Sequence, residues 1–177
     1  DSLPPYQVST FVGNKKCMDC HKKEYDKWLN SHHDLAMDVA NDNTVLGNFE
    51  NAVFEYFGVT SRFYRKDSRF FVHTPGPDAK MGEFEIKYTF GVDPLQQYLV
   101  PFPGGRLQCL PMAWDVKKKK WYHLYPDEPI DPGDWLYWTN AGQNWNGMCA
   151  ECHSTDLKKN YNYKNKDRRS IALQYNS

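Results

Sequence analysis

From about residue 53 to residue 125 the chain alternates apolar and polar positions with period two. Phe84, Ile86, Tyr88 and Phe90 alternate with Glu83, Glu85, Lys87 and Thr89, the pattern of a half-buried strand whose successive side chains face opposite ways. Residues 61–66 and 69–74 flank Lys66-Asp67-Ser68 and predict a hairpin. Further strands are predicted at 106–110 and 120–125. Pro75-Gly76-Pro77-Asp78 and Pro101-Phe102-Pro103-Gly104-Gly105 mark turns. The run from Lys117 to Lys120 reads as a solvated hairpin tip.

Outside this region the period changes. Residues 17–29 predict a helix with Tyr25, Trp28 and Leu29 on one side, interrupted at Asn30-Ser31. Ser31 with Asp34 three residues later resembles an acidic capping box. A second helix is therefore expected through His33, Leu35, Ala36 and Met37 to about Ala40. Residues 1–12 are Pro-rich and read as an extended lead-in, and 41–51 as a polar loop. Pro126 to Gly133 is a Pro/Asp-rich connector. A Trp-rich stretch follows, with Trp135, Trp138 and Trp145. The expected fold is α+β, with helical segments at both ends flanking a mainly antiparallel β-sheet. The expected organisation is one domain over 1–157, with a β-rich insert at about 53–125, and a polar tail or contact arm over 158–177.

The 177 residues suit a single domain. Lys+Arg and Asp+Glu both number 22, so the formal charge is zero and no nucleic-acid partner or acidic membrane is implied. No apolar run approaches the ~18 residues needed to span a bilayer. Aromatic residues reach 16%, enough to wall a large flat apolar group or to fill a β-rich core. The chain opens with Asp1-Ser2-Leu3-Pro4-Pro5 and reads as a processed product, its export signal removed.

Two copies of one pentapeptide frame the chain: Cys17-Met18-Asp19-Cys20-His21 and Cys149-Ala150-Glu151-Cys152-His153. Cys-x-x-Cys-His is the attachment signature of a c-type haem. Two thioethers hold the porphyrin edge, and one helical turn swings the next residue, the histidine, under the iron. The expected cofactors are two covalently bound haem c groups, at Cys17, Cys20 and His21 and at Cys149, Cys152 and His153. Haem attachment happens outside the cytoplasm, so a periplasmic or extracellular home follows. Structural zinc usually needs Cys-x-x-Cys pairs about 15–20 residues apart, and here most of the chain separates them. A redox dithiol would not need a histidine after both pairs. The remaining cysteine, Cys109, reads as a small buried hydrophobe.

The sixth position on each iron separates electron transfer from ligand chemistry. The spare histidines are His32, His33, His73 and His123. His33 is the first candidate in its pair, with His32 as the alternative or as a supporting group. His21 and His33 are twelve residues apart, roughly 18 Å along an unbroken helix. They share an iron only if the chain folds back at Asn30-Ser31; otherwise His33 reaches the other haem or a neighbouring subunit. His123 lies on a predicted strand between Trp121 and Tyr125, on an aromatic face suited to a haem wall. His73 next to Thr74-Pro75-Gly76 reads as a turn or surface residue.

Trp28-x-x-Ser31-x-His33-x-x-Ala36-Met37 after the first Cys-x-x-Cys-His resembles multihaem c-type cytochromes. The segment Lys87 to Tyr98 resembles the N-terminal cytochrome module of bacterial exported proteins that continue into tetratricopeptide repeats. So do Gly105-Arg106-Leu107-Gln108, Trp121-Tyr122-His123-Leu124-Tyr125-Pro126 and Asn144 to Thr155. The resemblance spans roughly 14–160 and implies His33 and His123 as distal ligands. Such proteins usually carry a further haem motif and helical repeats, which this chain lacks. The leading expectation is a dihaem carrier passing single electrons between redox partner proteins through bis-histidine haems, more simply a non-catalytic protein than an enzyme. The alternatives are a subunit of a haem-stacked homopolymer or larger extracellular redox assembly, and a reductase of nitrogen oxides or oxygen species at a five-coordinate haem.

Overall fold

A computed structural model describes residues 13–158, 161–162, 164, 167–168 and 171–174. The expected lead-in over 1–12 lies outside the described residues. The first element among the described residues is helix α1 (Asn14–Trp28), which buries none of its residues. Then come β1 (Met37–Val39), β2 (Ala52–Tyr56), β3 (Val59–Lys66), β4 (Arg69–Pro75), β5 (Met81–Ile86), β6 (Tyr88–Phe90) and β7 (Leu95–Phe102). Next are β8 (Arg106–Cys109), β9 (Met112–Asp115) and β10 (Lys120–His123). Two single-turn helices, α2 (Trp145–Met148) and α3 (Ala150–His153), precede β11 (Thr155–Lys158), which pairs antiparallel with a strand at Ile171–Gln174.

The α+β expectation is overturned. The molecule is mostly β-sheet, built from two antiparallel sheets, with one helix near the N-terminus and short helices near the C-terminus. The first sheet is the meander β2-β3-β4-β5; the second has the order β1-β6-β7-β9-β10, with β8 also paired to β7. The helix expected from Ser31 to Ala40 makes a single turn. Its capping contacts do form, with the Asp34 N–H on Ser31 Oγ at 3.4 Å and the Asn30 N–H on Asp34 Oδ2 at 2.8 Å. The turn stops because Met37–Val39 pairs with Phe90–Tyr88 and buries Met37 completely. Sheet pairing and burial of a large side chain outweigh the few tenths of a kcal/mol per residue of helix propensity. At the other end the helix breaks at Cys149 (φ −125°, ψ −33°).

The period-two region folds into strands, but the single strand read through Phe84, Ile86, Tyr88 and Phe90 is divided at Lys87 between β5 of one sheet and β6 of the other, and Thr89 is buried. The hairpin of β3 and β4 closes in register at Lys66 and Arg69, with Asp67 and Ser68 both at positive φ, the geometry of a tight two-residue turn. The lysine run is a hairpin tip whose Lys117 and Lys118 N–H groups bond Asp115 Oδ1 at 3.1 and 2.7 Å.

Strand β7 organises the interior because it is buried on both faces. Tyr98 and Val100 enter the main core with Phe49, Phe63, Trp114 and Trp121. Leu99 points the other way, into a smaller cluster of Met37, Cys109, Trp145 and Ala150. Alternation along one strand thus supplies the core on one side and a seat for the Cys149–His153 segment on the other. Two buried polar side chains of the same strand hold the 41–51 loop. Gln96 accepts from the Leu46 N–H at 2.8 Å and donates to the Thr44 carbonyl at 2.9 Å, while Tyr98 Oη accepts from the Gly47 N–H at 2.9 Å.

The turn between β6 and β7 requires a glycine. Gly91 has φ +83°, its N–H donates to the Ala36 carbonyl at 2.8 Å, and a Cβ there would lie 2.9 Å from the Leu95 carbonyl oxygen. Gly91→Ala is expected to cost about 2 kcal/mol, the scale of a left-handed backbone strain, measured by urea unfolding. An unchanged midpoint would show that the turn relaxes freely.

Candidate functional site

The second attachment segment is seated by amide side chains. Gln108, fully buried on β8, donates to the carbonyls of Trp138 and Asn140 at 2.8 and 2.9 Å. It accepts from Asn144 Nδ2 at 2.8 Å. Asn146 accepts the Leu107 N–H at 2.7 Å and donates to the Gly105 carbonyl at 3.2 Å. These bonds lock the entry to α2 against β8. Trp145 and Ala150 then plug the smaller cluster at 1% and 0% exposure. Cys149 lies half-buried against that cluster, while Cys152 and His153 are exposed. The N–H groups of Cys152 and His153 both reach the Cys149 carbonyl at 3.2 Å, so one turn carries all three candidate side chains.

His153 meets the edge of Phe90, ring centroids 4.7 Å apart and nearly perpendicular. The two rings line a cavity of about 270 Å³ together with Ala36, Val92, Leu95 and His32. His33 is exposed and does not line it. Asp93, also at this cavity, faces Lys117 at 3.8 Å.

The first attachment segment lies on α1. Cys17, Cys20 and His21 are all exposed. His21 itself leaves helical geometry (φ −125°, ψ 39°), kinking the helix at the candidate ligand. Tyr25 and Trp28 pack on each other, centroids 5.8 Å apart, and Leu29 is exposed.

His123 is buried at the end of β10 and stacks on Tyr56, centroids 3.6 Å apart and 10° from parallel. Its Nδ1 faces both the carbonyl and the N–H of Tyr125 at 3.1 Å. With the proton on Nδ1 the ring donates to the carbonyl and leaves the Nε2 lone pair free. Burial holds this imidazole below its usual range, partly offset by the Tyr125 bond. It lines a cavity of about 300 Å³ with Tyr56, Met112, Ile130, Leu136 and Trp138. Neither Cys-x-x-Cys-His segment lines that cavity.

His73 is exposed on β4, as a surface role requires. Cys109 is buried at 3% exposure. It shares the smaller cluster with Cys149; that neighbour and burial push the Cys109 thiol up, and the interaction with Cys109 draws Cys149 down. Structural zinc would need four converging ligands. Among the described residues no three His, Cys, Asp or Glu side chains converge to hold a metal ion.

The residues fit a haem at the second segment. Its thiols are free, its histidine opens onto a cavity with apolar walls, and the buried Trp145 Nε1 beside Cys149 has no acceptor. Cys149 and Cys152 would form the thioethers and His153 would bind the iron. Cys17, Cys20 and His21 would do the same on α1. Sequence reasoning passed over Phe90 as a haem wall and Gln108 and Asn146 as the clamp. The one available signal was the density of buried-type amides beside the motif.

No curated protein and no solved structure matches the chain. Among the described residues no helix is long and apolar enough to cross a membrane. The family described as Cytochrome c554 and c-prime matches residues 16–53, which includes the first attachment motif and the turn carrying His32 and His33. That match supports a c-type cytochrome, an electron-transfer protein with covalently bound haem.

Proposed function

We propose that the chain carries two haem c groups, each with two histidine ligands, and passes single electrons between redox partner proteins in the periplasm or outside the cell. The observation that carries this reading is the cavity at β6. A second histidine and a wall of apolar side chains meet the candidate proximal ligand His153 there. When bound, haem c supplies one-electron Fe(III)/Fe(II) chemistry. The chain does the rest. Cys149 and Cys152 would anchor one edge of the group, Phe90 and Leu95 would exclude water, and His153 with a second histidine would bind the iron.

His123 is proposed as an axial ligand for the haem of the other segment. It is absent from the His153 cavity, burial favours the neutral ring that ligation demands, and its Nδ1 has the backbone partner that orients metal-binding imidazoles. His73 stands exposed on β4, away from the cavity.

An assembly reading draws on α1. A helix with no buried residue presents Cys17, Cys20 and His21 outward, where a haem would meet a partner or a second copy. Negative-stain imaging of the holoprotein across a dilution series tests it, since isolated monomers at every concentration would remove it.

The central test is carbon monoxide added to the dithionite-reduced holoprotein. The Soret band is expected to stay unchanged, because both irons are six-coordinate. A shift in about half the haem would expose one open site and replace electron transfer with ligand chemistry.

A further inference from the structure

We propose that His32, rather than its neighbour His33, is the sixth ligand of the haem held at Cys149, Cys152 and His153. This rests on the dihaem reading above and assigns a ligand within it. The resemblance to multihaem cytochromes points to His33, at the Ser-x-His position. The folded chain places the other histidine at the cavity.

The argument begins with the turn after α1. Its backbone is closed by the Ser31 N–H on the Trp28 carbonyl at 2.9 Å and the Leu35 N–H on the Ser31 carbonyl at 3.0 Å. It is then anchored to the sheet. The Ala36 carbonyl accepts from Gly91 at 2.8 Å, and Met37, fully buried, pairs with Phe90. The turn is thereby held against the end of β6. Two histidines line the resulting cavity, His32 from this turn and His153 from α3, and Phe90 lines it too, edge-on to His153. In a turn of near-helical backbone, successive side chains diverge by about 100°. If His32 faces the cavity, His33 cannot; both are exposed, and of the two His32 lines the cavity and His33 does not.

The chemistry of the remaining wall agrees. A bis-imidazole iron needs two ring nitrogens about 4 Å apart, each about 2 Å from the metal, inside apolar surroundings. Ala36, Phe90, Val92 and Leu95 supply those surroundings. The polar groups at the rim are already engaged, Gln97 Nε2 with the Leu110 carbonyl at 3.3 Å and Asp93 with Lys117. Neither competes for the iron.

The test uses the full-length holoprotein and its His32→Ala, His33→Ala and His32→Met variants, read by optical and electron paramagnetic resonance spectra and by carbon monoxide titration. His32 is exposed, so the alanine variant should fold, which circular dichroism checks. In His32→Ala about half the low-spin iron signal is expected to become high-spin and carbon-monoxide reactive, and added imidazole restores it. His32→Met keeps that iron six-coordinate with a methionine-type spectrum and a raised potential. His33→Ala stays as wild type. A closed wild type in which His33→Ala opens the site, or in which His32→Ala leaves both irons closed, overturns this assignment alone. A wild type that already binds carbon monoxide at half its haem overturns the bis-histidine reading itself.

Discussion

Replacing Cys149 and Cys152 together by serine is expected to halve the covalent haem of the matured chain, from two groups per polypeptide to one. Thioether formation needs the thiols, and the two pentapeptides are the two sites that offer them beside a histidine. The pair Cys17→Ser and Cys20→Ser should halve it as well. The measurement is haemochrome absorbance per chain after denaturation, which counts only covalently held haem. The two double variants should differ in stability. No residue of helix α1 is buried, so losing its haem, tied to the sheets through the proposed His123 ligand, should lower the thermal midpoint less than losing the other. Cys149 packs on Met37, Leu99, Trp145 and Ala150. A covalently held haem stays on the unfolded chain, but its packing against this cluster and its iron–histidine bonds would form only in the folded state, so its loss should lower the midpoint by several degrees. A haem count that stays the same after either double substitution would remove that pentapeptide as an attachment site.

The second large effect concerns the core that holds these sites in place. Trp121→Ala is expected to destabilise the chain by about 3–5 kcal/mol, the usual cost of emptying a large aromatic from a packed interior. The indole stacks on Phe63 with centroids 3.7 Å apart, meets Phe49 and Trp114 edge-on at 5.5 and 5.4 Å, and lies against Tyr98 at 5.4 Å. Its Nε1 donates to the Asn48 carbonyl at 3.1 Å. That bond fixes the 41–51 loop, so truncation would leave both a cavity and a carbonyl without its donor. Trp121→Phe should recover part of the loss by refilling the volume. Urea unfolding at neutral pH separates these cases. A cost under about 1 kcal/mol for the alanine variant would mean that the core collapses around the gap and that Trp121 is not its hub.

The parts of this molecule that depend on neighbours along the chain were readable in advance. The hairpin at Lys66-Asp67-Ser68 is a local matter of two residues at positive φ between alternating runs. The lysine run closes a hairpin because Asp115 caps it from two and three residues away. The capping contacts of Ser31 and Asp34 are local too, and they form. The helix expected to follow them does not, because Met37 gains more from full burial against β6 than from a helical backbone. Its partner Phe90 lies some fifty residues away, beyond the reach of any periodicity argument.

The candidate site divides along the same line. Residue order alone points to haem attachment, because Cys-x-x-Cys-His is a one-turn device whose geometry is complete within five residues. It also names the histidines available as further ligands. Which of them stands beside which iron is decided by folding. His32 and His33 are adjacent in sequence and both exposed, yet His32 lines the cavity of His153 and His33 does not. His123 is carried into an aromatic pocket that contains neither attachment motif. Ligation depends on distance and direction at one metal atom, and strand pairing across β1, β6 and β7 with the amide clamp on α2 sets where the candidate ligands stand. Those contacts join segments far apart in the chain, so only the packed tertiary structure fixes them.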